Sequence, residues 1–315
     1  MAISSAGAGR VVITGGAGFV GRATVSAFAG RMRDAVTVVD RIPHPDPHVH
    51  SIVGELTDPT VIADALSGGD VAGVVHLAAL TSVLRSMHDP VATYQTNVAV
   101  TQDLLEGCRQ AGVGRFILAS TNAVVGDVGY ATMDEATPLQ PLTPYGATKA
   151  AAEMLLRGYA GAGGLATCAL RFTNIYGPGM QHKDSFVPRM MRAALSGGGI
   201  QIYGDGLQRR DFVHVEDAVA AMLAAWDLRF TGTAIVGSGV SVTVLELVAT
   251  VRKVTGCPLP AEHVAPKPGE MPAVIVDISR AREQLGYRPS LSLVDGLTTV
   301  WQDFQRSAGS AGPDR

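Results

Sequence analysis

Tyr145 and Lys149 stand four residues apart in Pro144-Tyr145-Gly146-Ala147-Thr148-Lys149. On a helix that spacing puts a phenol and an ammonium on one face. Positive charge favours the phenolate, so the pair reads as a general base able to work near neutral pH rather than near 10. A second stretch, Thr14-Gly15-Gly16-Ala17-Gly18-Phe19-Val20-Gly21, offers backbone in place of side chains. Its glycines suit a tight turn, close approach of a pyrophosphate and close packing of the following helix, whose N-terminus faces the phosphates.

Each stretch needs an element to hold it. Val11-Val12-Ile13-Thr14 is a β-branched run ending in the glycines, and residues 19–28 carry helical spacing, giving strand, turn and helix. A second apolar run, Ala35-Val36-Thr37-Val38-Val39, ends in Asp40, about 20 residues past the glycines, where a carboxylate can accept hydrogen bonds from a ribose diol. Asp40 would repel the 2'-phosphate of NADP, so NAD is the expected cofactor, with Arg41 beside it as the one opposing charge. Further strands are expected over 71–77, 115–119 and 165–172, with helices over 90–111 and 144–160. Such alternation predicts an α/β fold built on a Rossmann-type, doubly wound parallel sheet.

After Gly177-Pro178-Gly179 the pattern becomes mixed. Helices are expected over 186–195, 215–228, 242–254 and 293–304, a Pro/Gly-rich segment over 258–272, and a frayed end over 307–315. This predicts a smaller, mixed α/β substrate-binding lobe. The expected division gives residues 1–173, with a returning segment near 210–236, to the cofactor, and 174–209 with 237–315 to the substrate.

Composition narrows the function classes. The 315 residues are 47% hydrophobic and 17% charged with a net charge of -3, which fits a well-packed globule and offers no basic surface for nucleic acid. Apolar stretches are too short for a membrane span, and residues 1–9 lack the pattern of a signal peptide, so a cytosolic protein is expected. Cys108, Cys168 and Cys257 lack ligand spacing and read as buried free thiols. His44, His48 and His50 sit in a proline-rich loop without acidic or cysteine companions, so no metal site is expected.

With these pieces placed, the sequence resembles the extended short-chain dehydrogenase/reductases, in particular the NAD-dependent nucleotide-sugar epimerases and dehydratases. The resemblance runs from Arg10 to about Leu293. It rests on the glycine turn, His76-Leu77-Ala78-Ala79, Asn97, Ser120-Thr121, Tyr145 to Lys149, Leu170-Arg171-Phe172-Thr173-Asn174, and Arg210-Asp211-Phe212-Val213-His214-Val215-Glu216-Asp217. It implies that Tyr145 is the acid/base, that Lys149 holds the nicotinamide ribose and tunes Tyr145, and that Thr121 orients the sugar oxygen. On the cofactor side it implies Gly15, Gly18, Phe19, Val20, Gly21, Asp40, Arg41, Glu55, Leu56, Leu77, Ala78, Ala79, Asn97 and Phe172. Glu55 departs from the aspartate usual in the family. For the substrate, a UDP-sugar above all, it implies Thr81, Arg85, Asn174, Val187, Gln201, Tyr203, Arg210, Lys267 and Glu270. Guanidinium suits bidentate phosphate contact. Lys267 and Glu270 keep the charges of the family's usual arginine and aspartate.

Three functions follow from the resemblance: a nucleotide-sugar epimerase, a dehydratase or decarboxylase, and a non-catalytic NAD sensor. The sensor has no reason to keep Thr121, Tyr145 and Lys149 together. The dehydratases carry an aspartate and a glutamate after the catalytic threonine, whereas Thr121 is followed by Asn122 and Ala123, neither able to exchange a proton near neutral pH. Epimerisation at C4 of a UDP-hexose or UDP-hexuronate is therefore expected, with Asp127 or Asp184 as the acids that could restore elimination. Arg85, Lys183, Arg189 and Arg192 are the cations expected near a uronate carboxylate, and a homodimer through helices 90–111 and 144–160 is the family's common assembly.

Overall fold

The computed structural model describes residues 9–31, 35–266 and 271–310. The first part of the chain runs β1 (Arg10–Thr14), α1 (Phe19–Ala29), β2 (Val36–Asp40), β3 (His50–Val53), α2 (Pro59–Leu66), β4 (Val71–His76), α3 (Val83–His88), α4 (Pro90–Tyr94), α5 (Val100–Gln110), β5 (Arg115–Thr121), β6 (Thr132–Met133), α6 (Pro144–Gly161) and β7 (Ala166–Phe172). Then come β8 (Asn174–Tyr176), α7 (Phe186–Ser196), β9 (Ile200–Tyr203), β10 (Arg209–His214), α8 (Val215–Asp227), β11 (Gly232–Val236), β12 (Ser241–Thr243), α9 (Val244–Thr255), β13 (Ala261–Val264), β14 (Ile275–Val276), α10 (Ser279–Gln284) and α11 (Leu293–Ser310).

Seven strands form one parallel sheet in the order β11-β7-β5-β4-β1-β2-β3. Val11, Val12 and Ile13 of β1 are wholly buried because helices cover both faces of the sheet. One face packs Val25 and Phe28 of α1 with Ala218, Met222 and Trp226 of α8. Leu66 of α2, Leu104 and Leu105 of α5 and Leu156 of α6 cover the other. Each fully buried side chain of this size contributes about 1.5–3 kcal/mol. The strand order reverses between β1 and β4, so their C-terminal ends open a crevice for a ligand.

A second apolar cluster joins Met190 and Met191 of α7, Leu247 and Val251 of α9, and Leu297 and Val300 of α11. Around it β8, β10 and β12 form a three-stranded sheet, and β9 pairs with β13. The chain returns to the large sheet through α8 and β11.

Several local expectations change. The helix expected over 90–111 is α4, a π-helical turn Gln95–Ala99, and α5. Asn97 lies in that turn, a register change of the kind that clusters at functional sites. The helix expected from residue 242 begins at Val244, because Thr243 caps it: its hydroxyl accepts from Glu246 N at 3.0 Å while the Glu246 carboxylate accepts from Thr243 N at 2.7 Å. The segment 258–272 contains β13, and α11 continues through residue 307 to Ser310, held where Gln181 Nε2 donates to Ser307 at 3.2 Å. No helix among the described residues is long and apolar enough to cross a membrane, and none of their His, Cys, Asp or Glu side chains cluster as metal ligands.

Candidate active site

The glycine turn closes between β1 and α1. Gly15 has φ +72°, and a Cβ there would lie 2.7 Å from Ala78 N on the neighbouring strand end. A Cβ on Gly21 would stand 2.1 Å from Gly15 O, so the turn and the first turn of α1 tolerate no side chain at either position. Gly18 caps α1 without a side chain, which leaves the helix's first N–H groups for an anion. Asp40, at the end of β2, accepts from Ala17 N at 3.0 Å through Oδ2 and from Arg41 N at 2.7 Å through Oδ1. This cradle, with an acidic group beside it, fits a dinucleotide. Leu56 is buried nearby in the sheet core, while Glu55 and Arg41 are exposed.

Across the switch point, Thr14 Oγ1 accepts from Ala78 N at 3.3 Å and meets His76 Nδ1 at 2.7 Å, while His76 Nε2 lies 3.2 Å from Thr101 Oγ1. Burial, and to a lesser extent the Lys149 charge, pushes His76 down to about 3, so its ring is neutral. Asn97 spends its amide on the protein: it accepts from Leu80 N at 2.9 Å and donates to Leu80 O and Thr148 Oγ1, each at 3.1 Å. It thereby ties the segment carrying Leu77, Ala78, Ala79 and Thr81 to α6.

Tyr145 is the second residue of α6, whose start is set by Pro144 and by Thr143, the hydroxyl of which accepts from Gly146 N at 3.2 Å. The phenol is hydrogen-bonded to Thr121 at the end of β5. Lys149, one turn on, is buried and donates from Nζ to Ala119 O at 2.9 Å. The ionisation differs from the simplest expectation. Burial pushes Tyr145 up to about 12 against the Thr121 hydrogen bond, and pushes Lys149 down to about 8 against the attraction of Glu153. The Lys149 ammonium is turned to a strand carbonyl, and the Thr121 hydroxyl is the group that favours phenolate.

Beyond Tyr145 lies a cleft of about 930 Å³ between the two apolar clusters. Its lining includes Thr81, Thr121, Tyr145, Asn174, Gln201, Tyr203 and Arg210. Asn174 Nδ2 donates to Asp211 O at 2.8 Å and Arg210 Nη1 to Arg209 O at 2.8 Å. Val187 lines an adjoining hollow of about 280 Å³ with Phe19 and Val20. Phe172 is buried at the end of β7. Lys267 and Glu270 lie outside the described residues.

Two expected cations are elsewhere. Arg85 is exposed on α3 and does not line the cleft, because α3 turns its preceding residues, Thr81 to Leu84, toward it. Arg192 donates to Gln181 O at 2.7 Å and Lys183 O at 3.0 Å, bracing the loop that presents Lys183. Lys183 and Arg189 do line the cleft. Asp127 is exposed and turned to Gly129 N at 2.8 Å, which leaves Asp184 as the sole carboxylate among the described lining residues. Arg189 Nη2 holds it at 2.7 Å.

Sequence reasoning overlooked Gln208. It lines the cleft, donates to Tyr203 O at 2.8 Å, and has a buried Oε1 with no protein hydrogen bond. It also passed over Ser82 and Thr173 as lining groups, and treated Asn122, whose residue lines the cleft, only as a missing acid. Long-range folding brings them together, and no spacing signalled it.

Fold and clefts define a dinucleotide-dependent Rossmann protein with a second ligand site against a Tyr-Lys-Thr centre. Residues 11–235 match the NAD dependent epimerase/dehydratase family, and the chain belongs to it. Its cofactor is NAD. The chain is 32% identical to a dTDP-glucose 4,6-dehydratase of Streptomyces niveus over 95% of its own length and 94% of the relative's. It is 30% identical to a UDP-glucose 4-epimerase of Azospirillum brasilense, covering 99% and 97%. Among solved structures, MoeE5 in complex with UDP-glucuronic acid and NAD is 38% identical with a TM-score of 0.88, covering 95% of this chain and 100% of that one. The UDP-glucose 4-epimerase of Thermotoga maritima is 29% identical with a TM-score of 0.89, covering 95% and 99%.

Proposed function

We propose that the protein epimerises a UDP-hexose or UDP-hexuronate at C4. One observation carries this reading: the cleft joins the Thr121–Tyr145 pair to Asn122 and Ala123 and offers a single described carboxylate, Asp184, already paired with Arg189. Elimination of water needs a free acid and base beside the sugar, and amide and methyl groups supply neither.

In this mechanism Arg210 and Asn174 hold the diphosphate, fixing the sugar against the Tyr145 end. The Tyr145 phenolate, which the Thr121 hydroxyl stabilises against the burial that favours the phenol, takes the C4 hydroxyl proton and returns it after the keto sugar has turned. NAD, held by the glycine turn and Asp40, supplies reversible hydride acceptance. Lys149 holds the nicotinamide ribose, and the short Ala123 side chain leaves room for the turn. Lys183, in the cleft, favours an anionic C6, and the chain is similar to a protein solved both with UDP-glucuronic acid and with UDP-glucose.

Mass spectrometry and NMR of products from UDP-glucuronate and UDP-glucose test this. Unchanged mass with inverted C4 is expected, whereas release of water or carbon dioxide supports the lyase reading. Higher kcat/KM for UDP-glucose counts against the uronate.

The proposed assembly is a homodimer through the helices of 90–111, α4 and α5, and through α6. Val91, Tyr94 and Met154 expose apolar surface there. Solution scattering at micromolar concentration is expected to give twice the chain mass, and a monomer mass would remove this assembly.

A further inference from the structure

Three consecutive residues of β5 each take one contact from α6. Thr121 is hydrogen-bonded to Tyr145, Ala119 O accepts from Lys149 Nζ at 2.9 Å, and Ser120 Oγ donates to Glu153 Oε1 at 2.5 Å. The helix partners are residues 145, 149 and 153, one face at four-residue spacing. Glu153 is thus a third member of the face that carries the acid/base pair.

Its surroundings are built to hold it. Ser120 and Arg171 are register partners on β5 and β7. Both present their side chains to Glu153, and Arg171 grips the carboxylate with Nε at 3.0 and 3.2 Å and Nη2 at 2.7 Å. Glu153 and Arg171 are each 1% exposed. Burying an ion pair costs desolvation of both charges, and an apolar pair of similar volume would often hold the helix as well. Arg171 Nη1 is moreover buried without a protein partner. Stability alone therefore explains the pair poorly.

We infer that Glu153, oriented by Arg171 and Ser120, is a positioning residue that keeps Lys149 charged and seats α6 on β5 so that Tyr145 meets Thr121. The chemistry rests on the acid/base reading above. Around Lys149, the Ala119 carbonyl of β5 accepts from Nζ, Glu153 attracts its charge from one turn along α6 and the buried His76 of β4 feels it, while Ser120 of β5 and Arg171 of β7 bond to Glu153 and Tyr145 bonds to Thr121. His76 is neutral and burial favours the Tyr145 phenol, so in the substrate-free protein Glu153 is the group whose charge opposes the desolvation that lowers Lys149 toward 8. The sign follows directly. Removing the carboxylate lowers the lysine's pKa further, and its charge is then lost at lower pH.

The chain has only four lysines, at 149, 183, 253 and 267. Lysine Cε labelling therefore gives few NMR signals, and Lys149→Arg identifies the relevant one. The titration is run on the NAD-loaded protein without substrate. In Glu153→Gln the Lys149 midpoint is expected to fall by about one pH unit or more, the usual effect of losing a close opposite charge. The double variant Glu153→Gln/Arg171→Met leaves neither buried charge alone; loss of the Arg171 cation offsets part of the change, so a smaller fall in the same direction is expected, which covers a single variant that does not fold. An unmoved midpoint in either folded protein overturns the inference, even if the melting temperature drops. In turnover assays the alkaline limb of kcat should move in parallel with KM for the nucleotide sugar unchanged. Should the wild type turn over no nucleotide sugar, the functional reading fails while the titration still decides the role of Glu153.

Discussion

Replacing Tyr145 by Phe is expected to lower turnover by at least about 100-fold, the usual contribution of a positioned acid/base, while leaving the fold and NAD affinity within a small factor of wild type. The substitution removes one oxygen at the point where the cleft meets the end of β5. Phe keeps the ring, so the packing of α6 is retained, and Lys149 keeps its contact with Ala119 O. What disappears is the group that exchanges a proton with the sugar and the hydrogen bond from Thr121. The measurement is kcat alongside NAD titration and a thermal melt. A variant retaining more than about a tenth of wild-type turnover would remove Tyr145 from the mechanism.

Gly21→Ala is expected to weaken NAD binding by about 10- to 100-fold, because its Cβ would lie 2.1 Å from Gly15 O and 2.7 Å from Gly16 Cα. Neither is the end of a flexible side chain, so the turn itself must move, and overpacking of this kind costs about 1–3 kcal/mol. Displacing the turn spoils the cradle and shifts Ala17 N away from Asp40. Calorimetric titration with NAD reads the loss, and circular dichroism checks that the sheet persists. Unchanged affinity would mean that the cofactor does not approach this turn.

The large sheet and the cofactor cradle were legible in the chain itself because their signals are local. A β-branched run buried on both faces, glycines where a Cβ cannot fit, and a carboxylate at the end of the next strand all lie within about one βαβ unit. Tyr145 and Lys149 were legible for the same reason, being one helical turn apart. The helix over 90–111 was legible in extent but not in its π turn, since periodicity does not register one extra residue whose side chain, Asn97, bonds to Leu80 and Thr148.

Ionisation and pairing were decided by tertiary structure. The four-residue spacing implied a lysine acting directly on a phenol, but burial of both groups and the turn of Nζ to Ala119 O set their protonation instead. Glu153 stood in plain sight one turn beyond Lys149, yet its meaning comes from Ser120 and Arg171, residues brought together only by the β5–β7 register. Arg85 shows the reverse case: proximity in sequence to the strand end suggested a cation in the cleft, and the turn into α3 carried it to the surface. Desolvation and strand register depend on the whole packed molecule, which is why residue type and local spacing could name the chemistry here but not the charge states that run it.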